Sequence, residues 1–425
     1  MIGKIVINKA STNGFKSHIV VASAGHVNHG KSTLIGTLMT GKADTDGKNW
    51  LFLDTLPHEI ERNLSADLHY SLLGFKSNIP IHLKNPLDKR ERSRAVEQSE
   101  KLVSFIDTAG HEGFLRTTIR GLVGQNIDYG LLVVAADDGV MSMTKEHLGL
   151  LLAVNLPVIL CMTKIDKIGK RKIEETEVQI EELLKHVGRI PYSIKDQNDL
   201  NFVIDKLDTI VPIIKTSAVT LEGYDILNRL LVTLPERKKD LDKPFLMFID
   251  KIYNVPGVGT VVSGTIKQGK LQTGSELLLG PDTASKMKKV KAASIEMHYL
   301  RIAEADSGFV VGIALRGVNS EEVKRGMILC SEEVRPKPVK KFEADVLVLT
   351  HPTRITNGYE PIIHLFTVGE SAKVELTEKE YLKSGENGKV RFTFKYSPHY
   401  LEEGDKFVFR EGKTKGIGTV TKILN

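Results

Sequence analysis

Five short apolar runs punctuate residues 18–234, and none alternates with polar residues: HIVVASA, LVSFID, YGLLVVAA, PVILCM and VPIIK. A strand wetted on one face shows a period of two, so unbroken runs of β-branched and leucine side chains mark strands covered on both faces. Amphipathic stretches lie between them, among them Thr144 to Val154 and Glu174 to His186. Strand and helix in alternation predict a mostly parallel sheet with helices packed on it. The pattern stops at Pro235, where the charged run ERKKDLDKP reads as a linker.

Beyond the linker the texture changes. FLMFIDKIYNV, GTVVSGTIKQG, SELLLG, FVVGIALRGV, ADVLVLT, VRFTFKY and DKFVFREG are short strands parted by Gly, Pro and Asn turns, with no long helical pattern. Two antiparallel barrels are predicted, divided near RPKPV at Arg335 to Val339. The expected organisation is an α/β domain over residues 1–238 and barrels over 239–336 and 337–425. With 41% hydrophobic and 26% charged residues, the chain has enough apolar material to bury such cores. Cys161 and Cys330 sit inside or at the end of apolar runs and read as small buried side chains, which fits a reducing cytoplasm. The most apolar stretch, Leu150 to Met162, is broken by Asn155 and Pro157, so no membrane span is expected.

The net charge of +6 is unevenly placed: residues 1–242 hold 31 basic and 31 acidic side chains, and the excess lies wholly in the predicted barrels. That distribution is compatible with a solvated surface or with a polyanionic partner for the barrels. The run KRERSR, Lys89 to Arg94, reads as a solvated loop.

AGHVNHGKSTL supplies chemistry. Gly25 to Ser32 fits G-x-x-x-x-G-K-[ST], placed between a strand and the helical pattern STLIGTLM as that motif requires. Gly25 and Gly30 let successive N–H groups, with those of Asn28, His29 and Thr33 alongside, face phosphate oxygens; Lys31 neutralises β and γ oxygens, and the Ser32 hydroxyl is a Mg²⁺ ligand. In LVSFIDTAGHE a buried strand delivers Asp107, which holds Mg²⁺ through water, and Gly110, whose N–H can approach a γ-phosphate.

GHVNHGKST, DTAGH and TKID, in that order, resemble the translational GTPases of the elongation factor Tu and elongation factor 1-alpha superfamily. MTKEHLGLLLAVNLPVILCMTKID, EVKRGMILC, THPTRITNGYEP and FREGKTKGIGTVTKIL are most similar to its GTP-binding protein 1-like branch. The resemblance implies a GTPase with GTP/GDP and Mg²⁺ as cofactors, acting as a cytoplasmic monomer. tRNA or another RNA and the ribosome are the partners it implies, and it leaves open an exchange factor. It makes Asp166 the acceptor for the guanine edge, Lys164 the stem along the base, and Ser217 and Ala218 the loop at guanine O6. Thr163 stands where many relatives carry Asn, and Asn28 where many carry Asp. His111 positions the attacking water, Ser65 completes the Mg²⁺ shell, and Val27 with Leu64 forms an apolar gate. Arg410, Lys413 and Lys415 are the expected contacts to RNA phosphates. Delivery of aminoacyl-tRNA, delivery of one special aminoacyl-tRNA, RNA surveillance or decay, and a metabolic GTPase subunit are the roles the resemblance admits.

Overall fold

The computed structural model describes residues 17–424 except 63, 64, 238 and 413. Strands β1 (Ser17–Gly25), β2 (His69–Lys76), β3 (Ile79–Ile81), β4 (Lys101–Asp107), β5 (Tyr129–Ala135), β6 (Val158–Thr163), β7 (Ile190–Ser193) and β8 (Ile210–Lys215) form one sheet in the order β3-β2-β4-β1-β5-β6-β8-β7. The five apolar runs are β1, β4, β5, β6 and β8, parallel to one another. β2 and β3 join antiparallel at the edge. The strand order reverses at β1, which pairs with β4 on one side and β5 on the other. In an open α/β sheet the crevice at the carboxyl ends beside such a reversal is where ligands bind. Four loops leave those ends: Gly25–Gly30, Asp107–His111, Thr163–Asp166 and the stretch after Lys215.

The run KRERSR is a correction. It opens a helix, Lys89–Gln98, capped by Asp88, whose side chain accepts from the Arg90 N–H. Burial of Ala95 and Val96 gives the helix an apolar seat, and Arg92 Nη2 donates to Tyr70 O at 2.6 Å. A charge run hides a helix when only two of its neighbours are apolar and both fall on one side. The other charges face outward, two of them toward the middle barrel, as described below.

The two barrels are antiparallel as expected. In the middle one, Leu246–Phe248, Gly259–Gln268, Val310–Arg316, Lys288–Met297, Glu276–Gly280 and Ile328–Cys330 close on themselves, with Lys251–Val255 added at one side. FLMFIDKIYNV is therefore two strands, interrupted at Ile249 and Asp250. The C-terminal barrel closes through Lys341–Thr350, Asn387–Phe394, Val368–Leu376, Ile362–Leu365, Lys406–Glu411 and Thr414–Leu424, around Phe342, Phe392, Phe394, Phe407 and Phe409. Among its described residues the linker between sheet and middle barrel carries neither helix nor strand, yet it is seated: Glu236 accepts from His18 N–H, and Lys239 Nζ donates to His18 O at 2.6 Å. One hydrophobic core runs from the sheet through Leu131 and Tyr224 into Met247 and Val262 of the middle barrel. Among the described residues no helix is long and apolar enough to cross a membrane.

Candidate nucleotide site

At the carboxyl end of β1 the backbone turns into the helix Lys31–Thr40. Gly25 has φ +139°, and a Cβ there would stand 2.3 Å from Val133 O, so only glycine lets the loop leave the sheet so close to β5. The helix starts at Gly30, and its unpaired N–H groups face the cleft, an arrangement that suits anions. The cleft holds about 260 Å³ and is lined by Val27, Asn28, Gly30, Lys31, Ser32, Thr33, Trp50, Asp54, Ser65, Gly110, Lys164 and Lys167, with Gly47 at its edge. Asn28 adopts φ +60°, which asparagine tolerates better than most residues. Lys31 Nζ donates to His26 O at 2.9 Å, and burial pushes its pKa down. Gly110 comes from the far loop so closely that a Cβ would stand 2.4 Å from Lys31 Nζ and 2.7 Å from the His26 carbonyl carbon.

Below the phosphate loop the oxygens converge. Ser32 Oγ donates to Asp107 Oδ2 at 2.6 Å and lies 3.1 Å from Ser65 Oγ; Ser65 Oγ donates to Asp54 Oδ2 at 3.0 Å. Hydroxyl and carboxylate oxygens without nitrogen or sulfur suit a hard cation of the Mg²⁺ kind. Asp54 was not foreseen. Burial, and then the charge of Asp107, raises its carboxyl to about 7. In the sequence it is one acid in FLDTLPHEI, a stretch with neither period nor motif to mark it.

The base loop is tied to the phosphate loop directly: Thr163 Oγ1 donates to His29 O at 2.7 Å. A threonine hydroxyl thus spans the gap between the two loops. Lys164 adopts φ +59° and its Nζ lies 3.3 Å from Asp137 Oδ2. Asp166 is exposed at the loop's outer side. The neighbouring loop is joined by Thr216 N–H to Met162 O at 2.7 Å, Ser217 Oγ accepts from Thr220 N–H, and Ala218 O accepts from Asp44 N–H. His29 is fully buried with neither ring nitrogen hydrogen-bonded, and burial followed by the charge of Lys31 lowers it to about 3, so it is a neutral packing imidazole.

His111 is exposed and caps the 3-10 turn Glu112–Phe114, its Nδ1 accepting from Gly113 N–H at 3.0 Å. That bond leaves the proton of the neutral ring on Nε2. Among the described residues lining the cleft, His111 has no place, whereas Val27 does; Leu64, the other half of the expected gate, lies outside the described residues.

Arg410 and Lys415, expected to contact RNA, lie in the two strands of the C-terminal hairpin. Lys415 is not on an open loop: it sits in the strand Thr414–Leu424, and its Nζ pairs with Glu146 Oε1 of the α/β domain at 2.5 Å. Arg410, its cross-strand partner, is half-buried beside Glu146, Arg116 and Glu112, and burial lowers its pKa. Both cations are engaged at a domain interface. Lys413 lies outside the described residues.

A second network, also unforeseen, joins the cleft to the middle barrel. Asp67, two residues past Ser65, takes Arg120 Nη2 at 2.5 Å and Lys251 Nζ at 3.0 Å. Burial raises its pKa, but Lys251 and Arg120 together hold it well below the usual carboxylate range. Arg120 Nε also lies 3.2 Å from Asp250 Oδ1, and Tyr70 donates to Asp250 Oδ2 at 2.8 Å. Asp250 is fully buried. Arg120 belongs to the helix Leu115–Val123 that follows DTAGH, so both segments beside the nucleotide cleft meet the barrel at one carboxylate pair.

The comparisons agree with this architecture. Residues 16–252 match the family model "Elongation factor Tu GTP binding domain", 259–330 match "Elongation factor Tu domain 2", and 335–424 match "Elongation factor Tu C-terminal domain". GTP-binding protein 1 of Xenopus laevis is 36% identical over 417 residues, 95% of this chain and 63% of that protein; the chain thus spans under two thirds of that relative. GTP-binding protein 2 of Homo sapiens is 34% identical over 99% of this chain and 72% of its own length. Elongation factor 1-alpha of Methanopyrus kandleri is 31% identical over 96% and 98%. Among solved structures, translation elongation factor SelB of Methanococcus maripaludis in complex with GppNHp superposes with a TM-score of 0.69 at 23% identity, over 96% of this chain and 80% of that one, which speaks for the fold. With a phosphate loop, a cation cradle and a base loop at the switch point of its sheet and two barrels behind it, the chain belongs to the elongation factor Tu family of GTP-binding proteins, in the branch of GTP-binding proteins 1 and 2.

Proposed function

We propose that this protein binds and hydrolyses GTP and, in its GTP form, binds an aminoacyl-tRNA-like RNA and the ribosome. The observation that carries the reading is the junction at Asp67, Arg120, Asp250 and Lys251, because it ties both nucleotide-facing segments to the middle barrel. On this reading Gly25–Ser32 cradles the phosphates. Asp166 accepts from the guanine edge, Lys164 lies along the base, and Ser217 and Ala218 approach guanine O6. Ser32, Ser65 and Asp107 hold Mg²⁺, which screens the phosphate oxygens when bound. His111 turns inward from its exposed cap and aims Nε2 at the attacking water; placement and charge stabilisation are what phosphoryl transfer requires.

RNA binding rests on a different surface from the C-terminal hairpin. A cleft of about 610 Å³ between the segment after Ser65 and the middle barrel is lined by Tyr70, Arg92, Lys251, Tyr253, His298 and Tyr299, among others. Tyr253 and Tyr299 are nearly half exposed there. Aromatic faces beside cations are what unpaired nucleotides stack on. The relatives named elongation factor 1-alpha and SelB support translation as the setting.

The test is titration of aminoacylated and deacylated tRNA against the GTP-analogue and GDP forms. The proposal expects the analogue form to bind more tightly by about 1–3 kcal/mol, a typical coupling energy, and Tyr253→Ala with Tyr299→Ala to weaken it. Equal binding in both nucleotide states removes the switch, and no binding in either state removes the RNA partner. In the same preparations His111→Ala should abolish ribosome-stimulated hydrolysis while GTP affinity stays as in the wild type.

A further inference from the structure

Beside the Mg²⁺ cradle lies a second group of ligating side chains. Asp54, Glu59 and His69 each offer one ligand atom, and those atoms lie within 4.8 Å of one another. His69 Nε2 is 2.9 Å from Glu59 Oε1 and 3.5 Å from Asp54 Oδ1. Around a tetrahedral ion with bonds of about 2.0–2.1 Å, neighbouring ligand atoms stand about 3.3 Å apart. The two measured separations bracket that edge. Asp54 is 3% exposed, and its Oδ1, the oxygen aimed at His69, makes no hydrogen bond. Its other oxygen is taken by the Ser65 hydroxyl. Glu59 is fully buried.

We infer that Asp54, Glu59 and His69 form a site for a divalent ion of the zinc class, separate from the nucleotide's Mg²⁺. One imidazole and two carboxylates suit Zn²⁺ and Co²⁺ and are a poor set for Mg²⁺, which prefers oxygen alone. The three ligands come from both sides of Ser65: Asp54 and Glu59 precede it, and His69 opens β2. Glu59 already gathers the chain past Ser65 by accepting from the Ala66 and Asp67 N–H groups at 2.8 and 3.1 Å. The ion ties Asp54 and Glu59 to His69, which keeps the Ser65 hydroxyl facing Ser32 and Asp67 facing the barrel.

The experiment uses the untagged full chain, stripped of metal and then saturated with Mg²⁺ and a GTP analogue so that the nucleotide site is filled and the segment around Ser65 is held as in this structure. Co²⁺ titration should give one visible ligand-field band of tetrahedral type per chain, displaced by Zn²⁺. His69→Gln should lose the band, with binding of the Mg²⁺–GTP analogue as the control for folding. Anomalous scattering at the zinc edge from wild-type crystals grown with Zn²⁺ should place the ion among the three side chains, and needs no variant. Absence of a tetrahedral band, a band that survives His69→Gln, or anomalous density elsewhere overturns the proposal and leaves the three residues as a buried ion-pair cluster.

Discussion

The middle barrel meets the GTPase domain through Asp250, a fully buried carboxylate facing Tyr70 and Arg120, whereas the C-terminal barrel meets it through Lys415 and Glu146. The first contact touches the chain on both sides of the nucleotide cleft; the second touches the helix Ser142–Ala153, and with Arg410 beside Glu112 and Arg116 it reaches only the segment after DTAGH. The barrels are also joined to each other: Phe248 stacks on Phe366 with centroids 4.3 Å apart, and Lys267 pairs with Glu402 and Asp405 at 3.1 Å. A change at the nucleotide therefore reaches the middle barrel through both segments, and the C-terminal barrel through the segment after DTAGH and through its attachment to the middle barrel. Fully buried charges make a junction that is either matched or strongly unfavourable, while an ion pair with some access to water is lost at less cost.

The sharpest way to break that contrast is Asp250→Ala. Tyr70 would lose its acceptor and Arg120 one of its two carboxylate partners, Asp67 remaining on Nη2, and breaking a buried pair typically costs about 3–5 kcal/mol. Amide hydrogen exchange over Asp67–Tyr70 should show the opening free energy falling by that amount. An unchanged exchange pattern would mean that the junction is ornamental.

Acidification probes the same interface at another point. His18 Nε2 and His298 Nε2 both contact Ser104 Oγ at 2.9 Å; His18 is buried and His298 is partly buried at the wall of the cleft between sheet and barrel. Burial, and then the Arg92 charge, lowers His298 to about 3; burial, then Lys239 and His298, lowers His18 well below its ordinary value. A depressed pKa leaves the unfolded chain binding more protons, so stability is complete above about 6.5 and falls as pH drops toward 3. Between pH 7.5 and 5 each imidazole should cost roughly 2 kcal/mol. Denaturant unfolding at the two pH values measures it, and His298→Phe should flatten the dependence.

Thr163→Val tests a smaller, local tie. The substitution keeps shape and leaves the buried His29 carbonyl without its donor, which costs about 1–3 kcal/mol. GTP affinity from calorimetry should weaken within that range, with the barrels unaffected. The smallest effect belongs to the other barrel: Lys415→Ala removes a pair at the edge of the interface and should change stability by about 0–1 kcal/mol. A loss near that of Asp250→Ala would erase the distinction between the two contacts.

The parts that were legible in the sequence share a cause. The phosphate loop, DTAG and the base loop work through backbone geometry at strand ends, so glycine spacing and unbroken apolar runs announce them. Both barrels were visible in the turn residues. Asp250 and Arg120 were not, because an ion-pair junction depends on side chains 53 to 184 positions apart that carry no local period; Asp54 was not, because its stretch has neither period nor motif. Helix Lys89–Gln98 escaped for a related reason: its apolar seat is Ala95 and Val96 alone, and its cations lean over Tyr299 of the barrel, Lys89 Nζ at 5.2 Å and Arg92 Cζ at 5.7 Å from the ring centroid. Lys415 shows the converse. A basic hairpin is conspicuous in a sequence, but its partner, Glu146, is far away in the chain and gives no sign of itself.

Small-angle scattering from the GTP-analogue and GDP forms, in the wild type and in Asp250→Asn, tests the coupling of nucleotide to barrel most directly. The wild type with GTP analogue should reproduce the curve calculated from this closed arrangement, and the GDP form should be more extended, because release of the segment around Ser65 frees Asp67 from Lys251. Asp250→Asn should be extended in both states. Identical curves for the wild type in the two nucleotide states would contradict the claim that the middle barrel reads the nucleotide.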